Sequence, residues 1–83
     1  MKRLGFALHV VQKKLIVRVD PVDEGSRVRL PRLNSVVVNH KRMKIGDVID
    51  IFGPVKRPYV VIKPFSGIDA KIQVGKKLYF EER

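Results

Sequence analysis

The sequence contains no cysteine and no tryptophan. Disulfides and thiolate metal sites are therefore excluded, and a chain without cysteine fits an intracellular setting. Histidine is scarce as well. His9 and His40 are the only two, and no carboxylate stands at a recognisable ligand spacing from either. His9 reads as the outward residue of a strand and His40 as a turn residue. Serine occurs at Ser26, Ser35 and Ser66, none of them in a nucleophile motif. Gly46 and Gly53 match neither a dinucleotide nor a phosphate-loop pattern. Catalysis needs a nucleophile, base or metal arranged in a cleft. The expectation is that the chain is no enzyme and has no cofactor and no small-molecule substrate. No apolar run approaches the ~18 residues of a membrane span, and the N-terminus lacks the apolar region of a signal peptide. No membrane partner is expected, and the expected location is the cytoplasm. Acidic residues are few, 8 against 18 basic ones, for a net charge of +10. Such a field on a small domain suits nucleic acid, or a protein that works beside it.

Eighty-three residues make one domain over 1–83, with an expected radius of gyration of about 12 Å. No helical periodicity reaches ten residues. Leu4, Phe6, Leu8 and Val10 alternate with smaller or polar residues, as in a half-buried strand. The polar turn Gln12-Lys13-Lys14 leads to a second alternating run, Leu15, Val17 and Val19, and the two predict an antiparallel hairpin. Asp20 to Arg32 reads as a loop excursion in which Arg27-Val28-Arg29-Leu30 is a candidate short strand. Val36-Val37-Val38 is a strand, His40 to Lys44 a basic turn, and Ile45 to Phe52 a strand with Asp47 and Asp50 on opposite nominal faces. Either that strand is bulged or an acid faces a partner. Tyr59 to Ile62 is a strand limited by Pro64, and Phe65 to Asp69 a turn. Lys71-Ile72-Gln73-Val74 reads as a short strand, Gly75-Lys76-Lys77 as a turn, Leu78-Tyr79-Phe80 as a last strand and 81–83 as a frayed end. Short strands closely spaced by Gly and Pro predict an all-β, small closed barrel.

The chain is organised around residues 45–64. Two β-branched runs flank Gly53-Pro54-Val55-Lys56-Arg57-Pro58, where Gly permits unusual backbone angles and each Pro fixes φ. This connector reads as a stiff turn that brings Phe52, Val55 and Tyr59 together. Lys44-Ile45-Gly46, Asp50-Ile51-Phe52-Gly53-Pro54-Val55-Lys56, Pro58-Tyr59-Val60 and Ile62-Lys63-Pro64 resemble the core motif of the Gar family. That family is the small basic subunit of H/ACA ribonucleoproteins, which convert uridine to pseudouridine at guide-selected RNA sites. The likeness runs upstream to Leu33-Asn34-Ser35-Val36-Val37-Val38-Asn39 and downstream to Gly75-Lys76-Lys77-Leu78-Tyr79. It covers 33–80 well and the first 32 residues loosely; 20–32 is longer than expected for the family. The resemblance implies a six-stranded barrel like those of translation factors and some reductases. It further implies an archaeal form without Gly/Arg-rich tails, docked on the catalytic subunit of the pseudouridine synthase, with guide RNA and rRNA reached mainly indirectly.

Two functional readings follow. In the first the chain is a protein-binding subunit, with Phe52, Gly53, Pro54, Val55, Pro58 and Tyr59 as the partner-binding residues. Phe52 and Tyr59 are equally candidates for the core, and Val55, mid-turn, is the better interface residue. In the second the barrel binds RNA directly, with Lys41, Arg42, Lys44, Lys56 and Arg57 as phosphate contacts. Charge favours this, but no two of the six aromatics stand at i, i+2 on a strand, as base-stacking platforms do. A ribosomal or translation-factor-like barrel shares fold and charge, and only the motif separates it.

Overall fold

The apolar runs become the staves of one closed barrel. The computed structural model describes residues 2–20, 30–54 and 56–81. The order is β1 (Lys2–Val11), β2 (Lys14–Val19), β3 (Val36–Val38), β4 (Lys44–Phe52), β5 (Tyr59–Pro64), α1 (Ala70–Gln73) and β6 (Lys77–Glu81). The strands close in the order β1-β2-β5-β4-β3-β6, every neighbouring pair antiparallel. Closure removes the exposed edges that invite aggregation. The radius of gyration is 11.7 Å.

Inward positions fill the barrel with Leu4, Leu15, Val17, Val37, Ile45, Val48, Val60, Ile62, Leu78 and Phe80, all fully buried. Most are β-branched or aromatic, which suits a pleated, packed surface. The alternation expected for β1 is broken. Leu4 and Ala7 are buried, whereas Phe6 is 41% exposed and Leu8 also faces out. Register shifts between Arg3 and Gly5 against β6, and between Ala7 and His9 against β2, move the strand out of phase. Gly5 makes the first shift possible. Its φ is +155°, and a Cβ there would lie 1.9 Å from the Arg18 carbonyl oxygen on β2.

The ambiguity at Asp47 and Asp50 resolves as a bulge. Pairing with β5 slips between Val48 and Asp50. Ile49 and Asp50 are both exposed, and the Asp50 carboxylate accepts from the Ile51 N–H at 2.8 Å.

Residues 71–74 are not a strand. Ala70–Gln73 forms a single helical turn, with Asp69 as N-cap accepting from the Lys71 N–H at 3.0 Å. Gly75, at φ +84°, follows the helix, and its N–H donates to the Ala7 carbonyl at 2.7 Å. Asp before and Gly after outweigh the β-branched Ile72. Glu81, expected in a frayed end, pairs with Val36 in β6. Residues 21–29, which hold most of the expected loop excursion and of the 27–30 strand, lie outside the described residues; Leu30 is in no strand.

Strand direction assigns each turn to one end of the barrel. The Gln12-Lys13 turn, the Asn39–Met43 turn and residues 65–76 share one end. The 53–58 connector and Asp20 lie at the other. Gln12 and Lys13 both have left-handed backbones, φ 49° and 65°, as a type I′ hairpin turn requires. In the 39–43 turn, Asn39 Oδ1 accepts from the N–H groups of Lys41 and Met43, each at 2.9 Å.

Candidate functional site

The geometry of a hairpin end, rather than a cleft, organises the candidate site. Phe52 closes β4, Tyr59 opens β5, and the two are direct cross-strand partners. Their rings stack with centroids 5.4 Å apart and planes at 24°. Phe52 is 48% exposed, so it is not a core residue; Tyr59 is half-buried. Gly53 has φ +96°, and a Cβ there would stand 2.8 Å from the Tyr59 ring. The glycine thus supplies both the turn and the space for the ring.

The connector is fastened to the end of β2. The Pro58 carbonyl accepts from the Val19 N–H at 3.2 Å, and Arg57 Nε donates to the Val19 carbonyl at 3.3 Å. Within the connector, the Pro54 carbonyl accepts from the Arg57 N–H at 3.2 Å. Pro54 and Lys56 are exposed, Arg57 is half-buried and Pro58 is buried. Pro58 therefore fixes the shape of the connector rather than lining its surface. Val55 lies outside the described residues.

Cross-strand register extends the site beyond the motif. Lys77 on β6 pairs with Phe6 on β1, Phe6 with Arg18 on β2, Arg18 with Tyr59 on β5, and Tyr59 with Phe52 on β4. All five side chains belong to the barrel's outer surface, exposed or half-buried. At ~4.8 Å per strand the row is roughly 19 Å long. The Lys77 ammonium stands 5.7 Å from the centre of the Phe6 ring, and the Arg18 guanidinium 5.7 Å from that of Tyr59. Both distances are within cation–π range. Arg18 Nε is buried and makes no hydrogen bond among the described residues. Phe6, Arg18 and Lys77 were not legible as site residues, because register between distant strands leaves no local signal.

The five candidate phosphate contacts do not form one patch. Lys41, Arg42 and Lys44 belong to one end of the barrel, Lys56 and Arg57 to the other. The nine residues of β4 separate them by roughly 27 Å. Arg57 is also committed to the Val19 carbonyl. His9 and His40 are exposed, and among the described residues no group of three or more potential ligands could hold a metal ion.

The whole chain, residues 1–83, matches the family model described as the Gar1/Naf1 RNA binding region. An uncharacterised protein of Methanothermobacter thermautotrophicus is 37% identical over 83 residues, covering 95% of this chain and 82% of that one. The H/ACA ribonucleoprotein complex subunit GAR1 of Botryotinia fuckeliana is 29% identical, and that of Chaetomium globosum 25%, each over 77 residues and 92% of this chain. The present chain spans about a third of the length of those two subunits, 32% and 34%. The solved Gar1 domain of Naf1 superposes with a TM-score of 0.72 at 18% identity, covering 95% of this chain and 79% of that domain. That likeness shows the shared barrel, and the match of the family model shows that the chain belongs to the Gar1/Naf1 RNA-binding-region family.

Proposed function

We propose that this barrel is a non-catalytic accessory subunit of an H/ACA ribonucleoprotein, docking on the catalytic subunit of the pseudouridine synthase to support guide-directed rRNA modification and substrate turnover. The observation that carries the reading is the exposed Phe52–Tyr59 stack on a connector tied down at Val19. Aromatic rings already held in place lose little conformational freedom on binding, which is what interface hot spots require. Lys77, Phe6 and Arg18 widen the contact across the outer surface, and Pro54 and Val55 complete it at the connector. Arg18, between two aromatic positions, gives the surface a cation for a carboxylate of the partner.

The alignment of Phe6, Arg18, Tyr59 and Phe52 favours a second reading, in which the same row stacks RNA bases. Binding measurements separate the two. On the docking reading, isolated synthase binds the barrel without RNA, and Phe52→Ala weakens that complex. On the second, the complex forms only when RNA is present, and Phe52→Ala weakens binding to RNA alone.

A further inference from the structure

At the end of the barrel away from the Phe52–Tyr59 stack, a groove of about 470 Å³ opens between the β1–β2 turn and the segment that follows β5. Its apolar lining comes from Val10, Pro64, Phe65 and Ile68. Val10 and Ile68 pack on the barrel core, while Phe65 remains 37% exposed. The lining is held by the backbone: the Phe65 N–H donates to the Ile45 carbonyl at 2.9 Å, and the Ile68 N–H to the Phe65 carbonyl at 3.0 Å. Around it stand Lys13, Lys14, Lys63 and Lys71. None of these four ammonium groups is ion-paired among the described residues. The lone acid in the lining is Asp69, whose Oδ1 is engaged by the Lys71 N–H. Asp47 stands opposite Lys63 in the β4–β5 register, but no ion pair joins them. Lys41, Arg42 and Lys44 add to the positive field from the same end.

We infer that this groove is a binding site for single-stranded RNA, with one base against Phe65 and the flanking phosphates on Lys13, Lys14, Lys63 and Lys71. The volume lies within the range of small-ligand sites and accommodates a single unstacked nucleotide. Lysines act as point charges toward phosphate, and an exposed ring on a fixed floor offers a base its π-face whatever its identity. A concave apolar floor has nothing to offer the outside of a duplex, whose bases are already stacked. The family's RNA-binding description favours RNA over an acidic peptide. The inference does not rest on docking to the synthase, which takes no part in its test.

The test is fluorescence anisotropy of the full chain with a short labelled oligouridine at several salt concentrations. The double variant Lys14→Gln, Lys63→Gln should lose about tenfold in affinity at low salt. Its log–log salt slope should be shallower by about 1.4, from two lost single-strand phosphate contacts. Phe65→Leu, which keeps an apolar side chain and removes the ring, should lose about fivefold or more. The charge-matched Arg3→Gln, Arg32→Gln pair, at exposed residues outside both the groove and the row of rings, should stay within about threefold of wild type. Equal losses in the two charge-matched pairs would reduce the effect to the general field of the barrel and overturn the site. A loss confined to Phe52→Ala would move RNA to the row of rings instead. Polyglutamate displacing the RNA at equal charge concentration, with no penalty from Phe65→Leu, would assign the groove to an acidic peptide and overturn the RNA reading.

Discussion

Phe52 and Tyr59 face each other across the last pair of the β4–β5 hairpin, stacked at 5.4 Å, with Gly53 beneath the Tyr59 ring where no side chain fits. The exposure of Phe52, the ring stack and the attachment of Arg57 and Pro58 to Val19 meet at this hairpin end. The pair is a surface feature that the fold holds rigid, and its truncation separates stability from binding. An aromatic pair contributes about 0.5–1.5 kcal/mol beyond its buried area. Phe52→Ala should therefore lower the unfolding free energy by about 1 kcal/mol and leave the barrel folded, as read by urea denaturation with an unchanged m-value.

Gly53→Ala acts through the backbone. The left-handed φ is unfavourable for alanine, and the added methyl meets the Tyr59 ring at 2.8 Å. The expected loss is about 1–2 kcal/mol. Near-ultraviolet circular dichroism should also lose part of the tyrosine signal as the ring is displaced. A variant with wild-type stability and spectrum would show that the turn accommodates a Cβ.

Gly5→Ala should be far more damaging, because the obstructing atom is a backbone carbonyl oxygen in the neighbouring strand, at 1.9 Å. Relief requires parting β1 from β2. The loss should be about 3 kcal/mol or more, at the upper end of single-residue effects, and thermal unfolding should show a large fall in the midpoint.

The Gln12-Lys13 turn offers the opposite case. Its two left-handed residues are better served by Asn-Gly. Gln12→Asn, Lys13→Gly should stabilise the barrel by about 1 kcal/mol, raising the melting midpoint by about 4–8 °C for a domain of this size. The gain comes with the loss of one lysine from the RNA groove, so affinity for oligouridine should fall while stability rises.

Much of this architecture is legible in the residues themselves. Leu15, Val17 and Val19 occupy the core as their spacing implies, although Ile16 between them is buried as well. Gly53, Pro54 and Pro58 mark the connector because their backbone constraints are local. In β1 the same logic misplaces Phe6 and Leu8, because Gly5 permits a phase shift that depends on the distant Arg18 carbonyl. Ile72 and Val74 suggest a strand by their β-branching, although the Asp69 cap and Gly75 already carried a helix signal. The row from Lys77 to Phe52 depends on register between strands far apart in sequence, and the RNA groove on residues of the β1–β2 hairpin meeting those after β5. Neither has a local signature.

The central claim is that the barrel meets the synthase through the Phe52–Tyr59 surface. Isothermal titration of wild-type and Phe52→Ala barrels into purified pseudouridine synthase, with no RNA present, tests it most directly. Wild type should bind, and removal of a central hot-spot ring, at about 2 kcal/mol or more, should weaken the complex about thirtyfold while the variant remains folded. A folded Phe52→Ala barrel that binds like wild type, or a wild-type barrel that binds only when RNA is added, would contradict the account.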